Sequence, residues 1–330
     1  MLFCNRPYDH MHITYGGKTS ACSWASKRLI GNLSEQSVTE IYESPDAEAL
    51  RESIEDQSFR YCDKVSCPYL SNNSLPDLTS QQFKKEKEER LANGPTNFNI
   101  AYDYTCNHAC PSCRNGLFVT DPNYRKMMKT LEQNLLPHLG NAQYIEACGN
   151  GDIFSSKYMM DLLNRVKPDD KNCLIELETN GVLVKRNWDK VAHLEEYKLR
   201  VIVTPNSFER ETYKILSGGF DNLSQTLESL DFLAHLRQEK KIKEFIITMV
   251  MQKENFREVP SFIQTCLERF QADKIQLRPL LPWFHLHHDL NFQLKDLTNP
   301  KHPDYKEFVE VMKHPLCTHP KVLHWSGNNY

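Results

Sequence analysis

No stretch of this 330-residue chain approaches the ~20 consecutive apolar residues that span a bilayer. The most apolar short run, Phe245 to Met251 ("FIITMVM"), has the length of a strand. An apolar leader is lacking too: "MLFCNRPYDHMH" turns polar at once, so no signal peptide is expected. Nor is there an excess of charge of either sign. Lys and Arg number 40 against 43 Asp and Glu, a net charge of -3, so no whole-protein field draws the chain onto nucleic acid or a membrane. The basic run Phe83 to Arg90 ("FKKEKEER") has acids mixed in and reads as a solvated helix face. Neither nucleic acid nor a membrane is an expected partner, and the expected location is cytoplasmic. In that reducing compartment the eleven cysteines are not expected to pair as disulfides, and clustered ones are expected to bind metal.

What is present is the balance of a globular protein, 40% apolar and 25% charged, with length for one large domain or two ordinary ones. Three regions separate. Residues 1–70 hold four cysteines and a helical pattern, "IYESPDAEALRESIED". Residues 71–96 are polar and punctuated by "NNS", "LP" and "NGP", which reads as a linker carrying one charged helix. From residue 97 to 284 strand-like and helix-like segments alternate. The strands are "NFNIAYDY", "QYIEAC", "CLIELET", "LRVIVTP", "EFIITMVM" and "KIQLRPL". Between them, "NYRKMMKTLEQNLLPHL" places Met127, Leu131 and Leu135 on one helical face with Met128 beside them; "SSKYMMDLLNRVK", "KRNWDKVAHLEEY", "NLSQTLESLDFLAHLRQ" and "EVPSFIQTCLERF" also read as helices. Such alternation predicts a parallel α/β sheet, doubly wound or curled into a barrel. Residues 285–330 form a C-terminal extension.

Loops after parallel strands carry the chemistry of such folds. The loop after the first strand, "AYDYTCNHACPSCRNG", holds Cys106, Cys110 and Cys113 in the spacing C-x3-C-x2-C. A [4Fe–4S] cube has four irons, so three thiolates leave one iron open, as a catalytic zinc keeps an open position with one ligand fewer. The alternative reading is a zinc site completed by His108, which lies inside the loop.

This C-x3-C-x2-C loop resembles the signature of the radical S-adenosylmethionine (radical SAM) superfamily. The resemblance implies a partial (β/α)6 barrel over residues 97–284. It also implies a [4Fe–4S] cluster on Cys106, Cys110 and Cys113 whose open iron chelates SAM. Reductive cleavage of SAM then yields a 5'-deoxyadenosyl radical that removes a hydrogen atom from the substrate. Further segments resemble the family at the expected places. "GNGDIF" resembles its glycine-rich turn and implies SAM contacts from Gly149, Asn150, Gly151 and Asp152, with Asn for the second Gly and Asp for Glu as departures. "ETNG" implies Thr179 and Asn180 near SAM. "VTPNSFERETYKILSGGFDNL" puts Thr204 and Asn206 at positions usually held by Ser and Asp, and Arg278 in "QLRPL" would face the SAM carboxylate or ribose, unless it is a surface charge.

The front region resembles the family's SPASM module. Cys4 and Cys22 fit C-x12-G-x4-C through Gly17, and "YCDKVSC" adds Cys62 and Cys67. The resemblance implies an auxiliary [4Fe–4S] cluster on these four residues; a four-cysteine zinc site is the alternative. The module stands before the barrel here, whereas the family usually carries it after, and a full SPASM module has more cysteines. Cys317-x9-Gly327 resembles the opening of a second such pattern cut short, or Cys317 is a buried thiol. Cys148, Cys173 and Cys266 read as small buried hydrophobes. His285, His287 and His288 show no convincing metal spacing. No catalytic side chain is singled out.

The expected function is radical SAM chemistry on a peptide or protein side chain, with oxidation or rearrangement of a small molecule such as a sugar or alcohol as a second reading. A non-catalytic iron–sulfur or zinc carrier is a third. The expected partners are the substrate and an electron donor such as flavodoxin or ferredoxin.

Overall fold

In a computed structural model, residues 1–25, 28–64, 67–148, 151–281, 292 and 295–324 are described. One sheet organises them. Its strands are β1 (His10–Ile13), β2 (Lys18–Ser20), β3 (Gly31–Asn32), β4 (Asn97–Ile100), β5 (Tyr144–Ala147), β6 (Leu174–Thr179), β7 (Lys198–Val203), β8 (Glu244–Met251), β9 (Lys274–Pro279) and β10 (Val322–His324). They lie in the order β10-β9-β8-β7-β6-β5-β4-β1-β2-β3. From β4 to β9 neighbours in sequence are parallel neighbours in space. The six expected strand units are therefore present in chain order, in an open, mostly parallel sheet.

The helices between these strands follow from apolar periodicity and capping. Helix Arg125–Leu139 buries Met128, Leu131 and Leu135. Helix Lys157–Leu163 starts where Ser156 Oγ accepts from the Met159 amide at 3.0 Å. Helices Leu223–Gln238 and Val259–Glu268 match their patterns, and Arg210–Leu216 is a further short helix between β7 and the first of these. The segment "KRNWDKVAHLEEY" is a single turn, Val184–Asn187, and two 3₁₀ turns. Burial of Trp188, Val191 and Leu194, with the indole N–H donating to Glu195 at 2.7 Å, holds it in that broken form.

The two faces of the sheet differ. Ile13, Ile100, Ala147, Leu177, Val201 and Phe245 stand opposite one another in register and are fully buried in the main core. One residue back, the row is His12, Asn99, Glu146, Glu176, Arg200 and Glu244. Side chains alternate faces along a strand, so this polar row looks away from the main core. It is also concave. Arg278 on β9 meets Glu178 on β6 at 2.8 Å across two intervening strands, which a flat sheet would separate by about 14 Å.

The front region is built into the same sheet. β1 pairs in parallel with β4, and Met11 and Ile13 join the main core. The helical pattern after Cys22 forms two helices, Val38–Tyr42 and Pro45–Glu55, because Ser44 caps a new start and Pro45 fits the first turn. The charged helix in the expected linker, Ser80–Asn93, is not a free spacer. Its Phe83 packs with Phe3, Tyr8, Ile54 and Phe59 in a second small core, and Arg90 pairs with buried Asp9.

Candidate functional site

The loop after β4 is folded back on itself by buried Asp103. Its carboxylate accepts from the Thr105 amide at 2.9 Å and hydroxyl at 2.8 Å, and from the hydroxyls of Thr120 and Ser156. The Cys106 amide donates to Phe118 O at 3.1 Å, closing the loop. Two glycines then grip it from either side. A Cβ on Gly151 would stand 2.4 Å from Thr105 O, and one on Gly218 (φ +80°) would stand 2.3 Å from Ala109 O. Only glycine permits these backbone approaches, and at Gly218 it also permits the left-handed turn.

Cys106, Cys110 and Cys113 come together within this grip. Burial, together with the neighbouring Cys106 and Cys113, pushes the Cys110 thiol up to about 12; burial, with Asp152 nearby, pushes Cys106 up to about 11. Donors point at the sulfurs: the His108 amide to Cys106 at 3.4 Å, Asn180 Nδ2 to Cys106 at 3.9 Å and Arg114 Nη2 to Cys113 at 3.7 Å. Such donors suit thiolates in a cluster. His108 does not complete a zinc site. Its Nε2 faces the Tyr213 hydroxyl at 3.5 Å and its ring stacks on Phe220, while burial lowers its pKa to about 4.

The other residues singled out in the sequence divide into groups. Gly149 and Asn150 lie outside the described residues. Asp152, Thr179 and Asn180 form one network around the loop. Asp152 is 2% exposed, and its carboxylate accepts from the amides of Phe154, Ser155 and Asn180 and from the hydroxyls of Ser155 and Thr179. The acceptor positions of this carboxylate are taken by these donors. Asn180 continues the network to Asn107 Oδ1 at 2.8 Å. Thr204 extends β7 by donating its amide to Thr179 O, while Asn206 (φ 65°) is spent joining Val250 and Asn255. Arg278 faces the concave side, not the outer surface, and pairs with Glu178.

The four front cysteines also gather, from four separate places in the chain. Burial pushes Cys4 and Cys62 up to about 12; Cys22 lies close enough to add to both, Cys62 adds to Cys4, and Cys67 adds to Cys62 and Cys22. Arg6 stands beside Cys4 and Cys22. A single zinc about 2.3 Å from each sulfur holds sulfurs about 3.8 Å apart. Among the described residues, no three of these sulfurs, nor the three of the loop, all lie within 4.8 Å of one another. Neither set therefore has the close sulfur spacing of a single zinc site. Cys317 is at the opposite edge of the sheet beside β10, 2% exposed, its thiol donating to Val311 O at 3.7 Å. Cys173 and Cys266 are buried as expected.

Cys148 is different. With Glu146 and Glu178 it forms a trio whose ligand atoms all lie within 4.8 Å of one another on the concave face. The signal was in the sequence, where "YIEAC" and "LIELET" alternate apolar with Glu or Cys at period two. The expected exit loop with His285, His287 and His288 lies outside the described residues.

Among the described residues, no helix is long and apolar enough to cross a membrane. No curated protein matches the chain. Residues 4–68 match the family model of the SPASM iron–sulfur cluster-binding domain, which spans all four front cysteines.

Proposed function

We propose that the chain is a radical SAM enzyme with an auxiliary cluster in its front module. One observation carries the reading. Three thiols converge on the loop after β4, the first of six successive parallel strands, and the histidine inside that loop faces Tyr213. Cys106, Cys110 and Cys113 would hold a [4Fe–4S] cluster with one open iron. When bound, that cluster supplies the electron for cleaving SAM.

The chain's own residues prepare the place. Asp103 sets the loop's shape, Gly151 and Gly218 fix its position, and Asp152 ties the turns after β5 and β6 together beneath it. Asp152 is a positioning residue in this account. The open end of the concave sheet takes the part of the partial barrel, with Glu178 and Arg278 facing its interior. The SPASM match supports the iron–sulfur part directly, and peptide or protein modification is the reading it favours; the small-molecule reading shares the same mechanism. An acidic one-electron carrier such as flavodoxin or ferredoxin would supply reducing equivalents.

The test is anaerobic reconstitution with iron and sulfide, then incubation with SAM and dithionite. Formation of 5'-deoxyadenosine supports the reading. Iron-loaded protein that leaves SAM intact would make it a carrier or scaffold.

A further inference from the structure

Charge on the concave face is balanced almost everywhere. Glu176 meets Arg200 at 2.7 Å, Glu244 meets Lys274 at 2.6 Å, and Glu178 meets Arg278 at 2.8 Å. Glu146 stands opposite Glu176 in the same row, and among the described residues no ion pair is made by it. Burial, with Glu176 and Glu178 close by, lifts its pKa to about 7. A buried ionisable group without a counter-ion is costly, and such groups concentrate where ligands bind.

Glu146, Cys148 and Glu178 converge with ligand atoms all within 4.8 Å of one another. Acceptors about 2.9 Å from an ammonium nitrogen lie at most about 4.7 Å apart, close to the limit within which these three ligand atoms gather. A second, independent feature faces the same way. His12 occupies the same cross-strand row, and its Nδ1 is buried with no partner. Burial, with Arg6 and His10 nearby, lowers its pKa to about 4, so the ring is neutral and offers a lone pair. A divalent metal suits the trio less well. Cys148 donates to Asn99 Oδ1 at 3.3 Å, and burial beside Glu146 and Glu178 keeps it protonated, whereas a metal ligand must be a thiolate.

We propose that Glu146, Cys148 and Glu178, on the face of the sheet that His12 shares across Asn99, form the subsite for a cationic group of the substrate, an ammonium or a guanidinium. This rests on the three-cysteine loop being the reaction centre. Cys148 directly follows β5 and Glu178 is the last but one residue of β6, and the turns after both strands contact that loop, so a cation held here places the neighbouring substrate atoms beneath it.

The reconstituted full chain is titrated calorimetrically with N-acetyl-lysine methylamide and N-acetyl-arginine methylamide. N-acetyl-norleucine methylamide is the uncharged control, and zinc and manganese ions are titrated separately. One cationic probe is expected to bind and the control not. Glu146→Gln, with circular dichroism and iron content unchanged, is expected to weaken that binding at least tenfold. Equal binding of the norleucine probe, no binding of either cation, or no effect of Glu146→Gln overturns the proposal. So does stoichiometric metal binding that Cys148→Ser abolishes. SAM cleavage by the parent without any probe tests the reaction centre separately, so the two failures are distinguishable.

Discussion

Cys4, Cys22, Cys62 and Cys67 are gathered from four places in the front module, whereas Cys106, Cys110 and Cys113 share one loop. The front set has a ligand for every corner of a cube and is fixed by the fold of its module. The loop set is one ligand short and is fixed by its neighbours: two glycines, Asp103, and the network of Asp152 and Asn180. Beside the loop set lies the concave polar face. On the proposed reading, the difference teaches that a closed cluster needs only a container, while an open one needs a built surround.

The largest effect that would break this comparison comes from removing the loop thiols. Changing Cys106, Cys110 and Cys113 to Ala should abolish 5'-deoxyadenosine formation while about four irons per chain remain, the content of one cube. Analysis of iron and sulfide checks it; an empty or zinc-loaded front module would contradict the assignment there.

Gly218→Val tests the grip. A side chain 2.3 Å from Ala109 O, at φ +80°, forces the loop to move. The variant should lose the loop's iron and keep the front module's, read as a halving of total iron. Full iron retention would mean that the loop tolerates displacement.

Asp152→Ala is a smaller perturbation. It leaves buried amide and hydroxyl donors without an acceptor, which costs about 3 kcal/mol of stability. Both clusters should still assemble, and denaturant melts should show the loss. A melt like the parent's would show that the network reorganises around water.

Glu146→Gln should do the opposite. The folded-state pKa of Glu146 is raised from 4.5 to about 7, so below pH 4.5 the group is protonated in both states and costs nothing. As pH rises from 4.5 to 7 the unfolded chain ionises first and the parent loses stability. The Gln variant escapes that loss, gaining about 1–3 kcal/mol at pH 8 and none at pH 4. A gain independent of pH would mean that the carboxylate is not buried without a counter-ion.

Much of this was legible in the sequence. The six strands and the three-cysteine loop could be placed because parallel strands, helix periodicity and thiol spacing are local signals. The merger of the front module with the main sheet was not, since β1 and β4 pair across eighty-odd residues of chain, and only tertiary contact reveals it. Phe83 was likewise hidden inside a charged run. The close approach of Gly151 to the backbone of residues 103–105 is likewise a tertiary contact that no local spacing reveals. The donors around Asp152 were not legible either, because spacing says nothing of how many will surround a carboxylate. The polar row was missed because strands judged apolar on average conceal a period of two, as where Glu176 and Glu178 alternate with Ile175 and Leu177.

The central claim is that one cluster is open to SAM and the other is not. Electron paramagnetic resonance of the reduced, reconstituted protein, recorded before and after adding SAM, tests it most directly. Two cluster signals are predicted, of which SAM perturbs only the one lost in the triple cysteine variant. A spectrum in which SAM perturbs neither signal, or perturbs the one that survives in that variant, would contradict it.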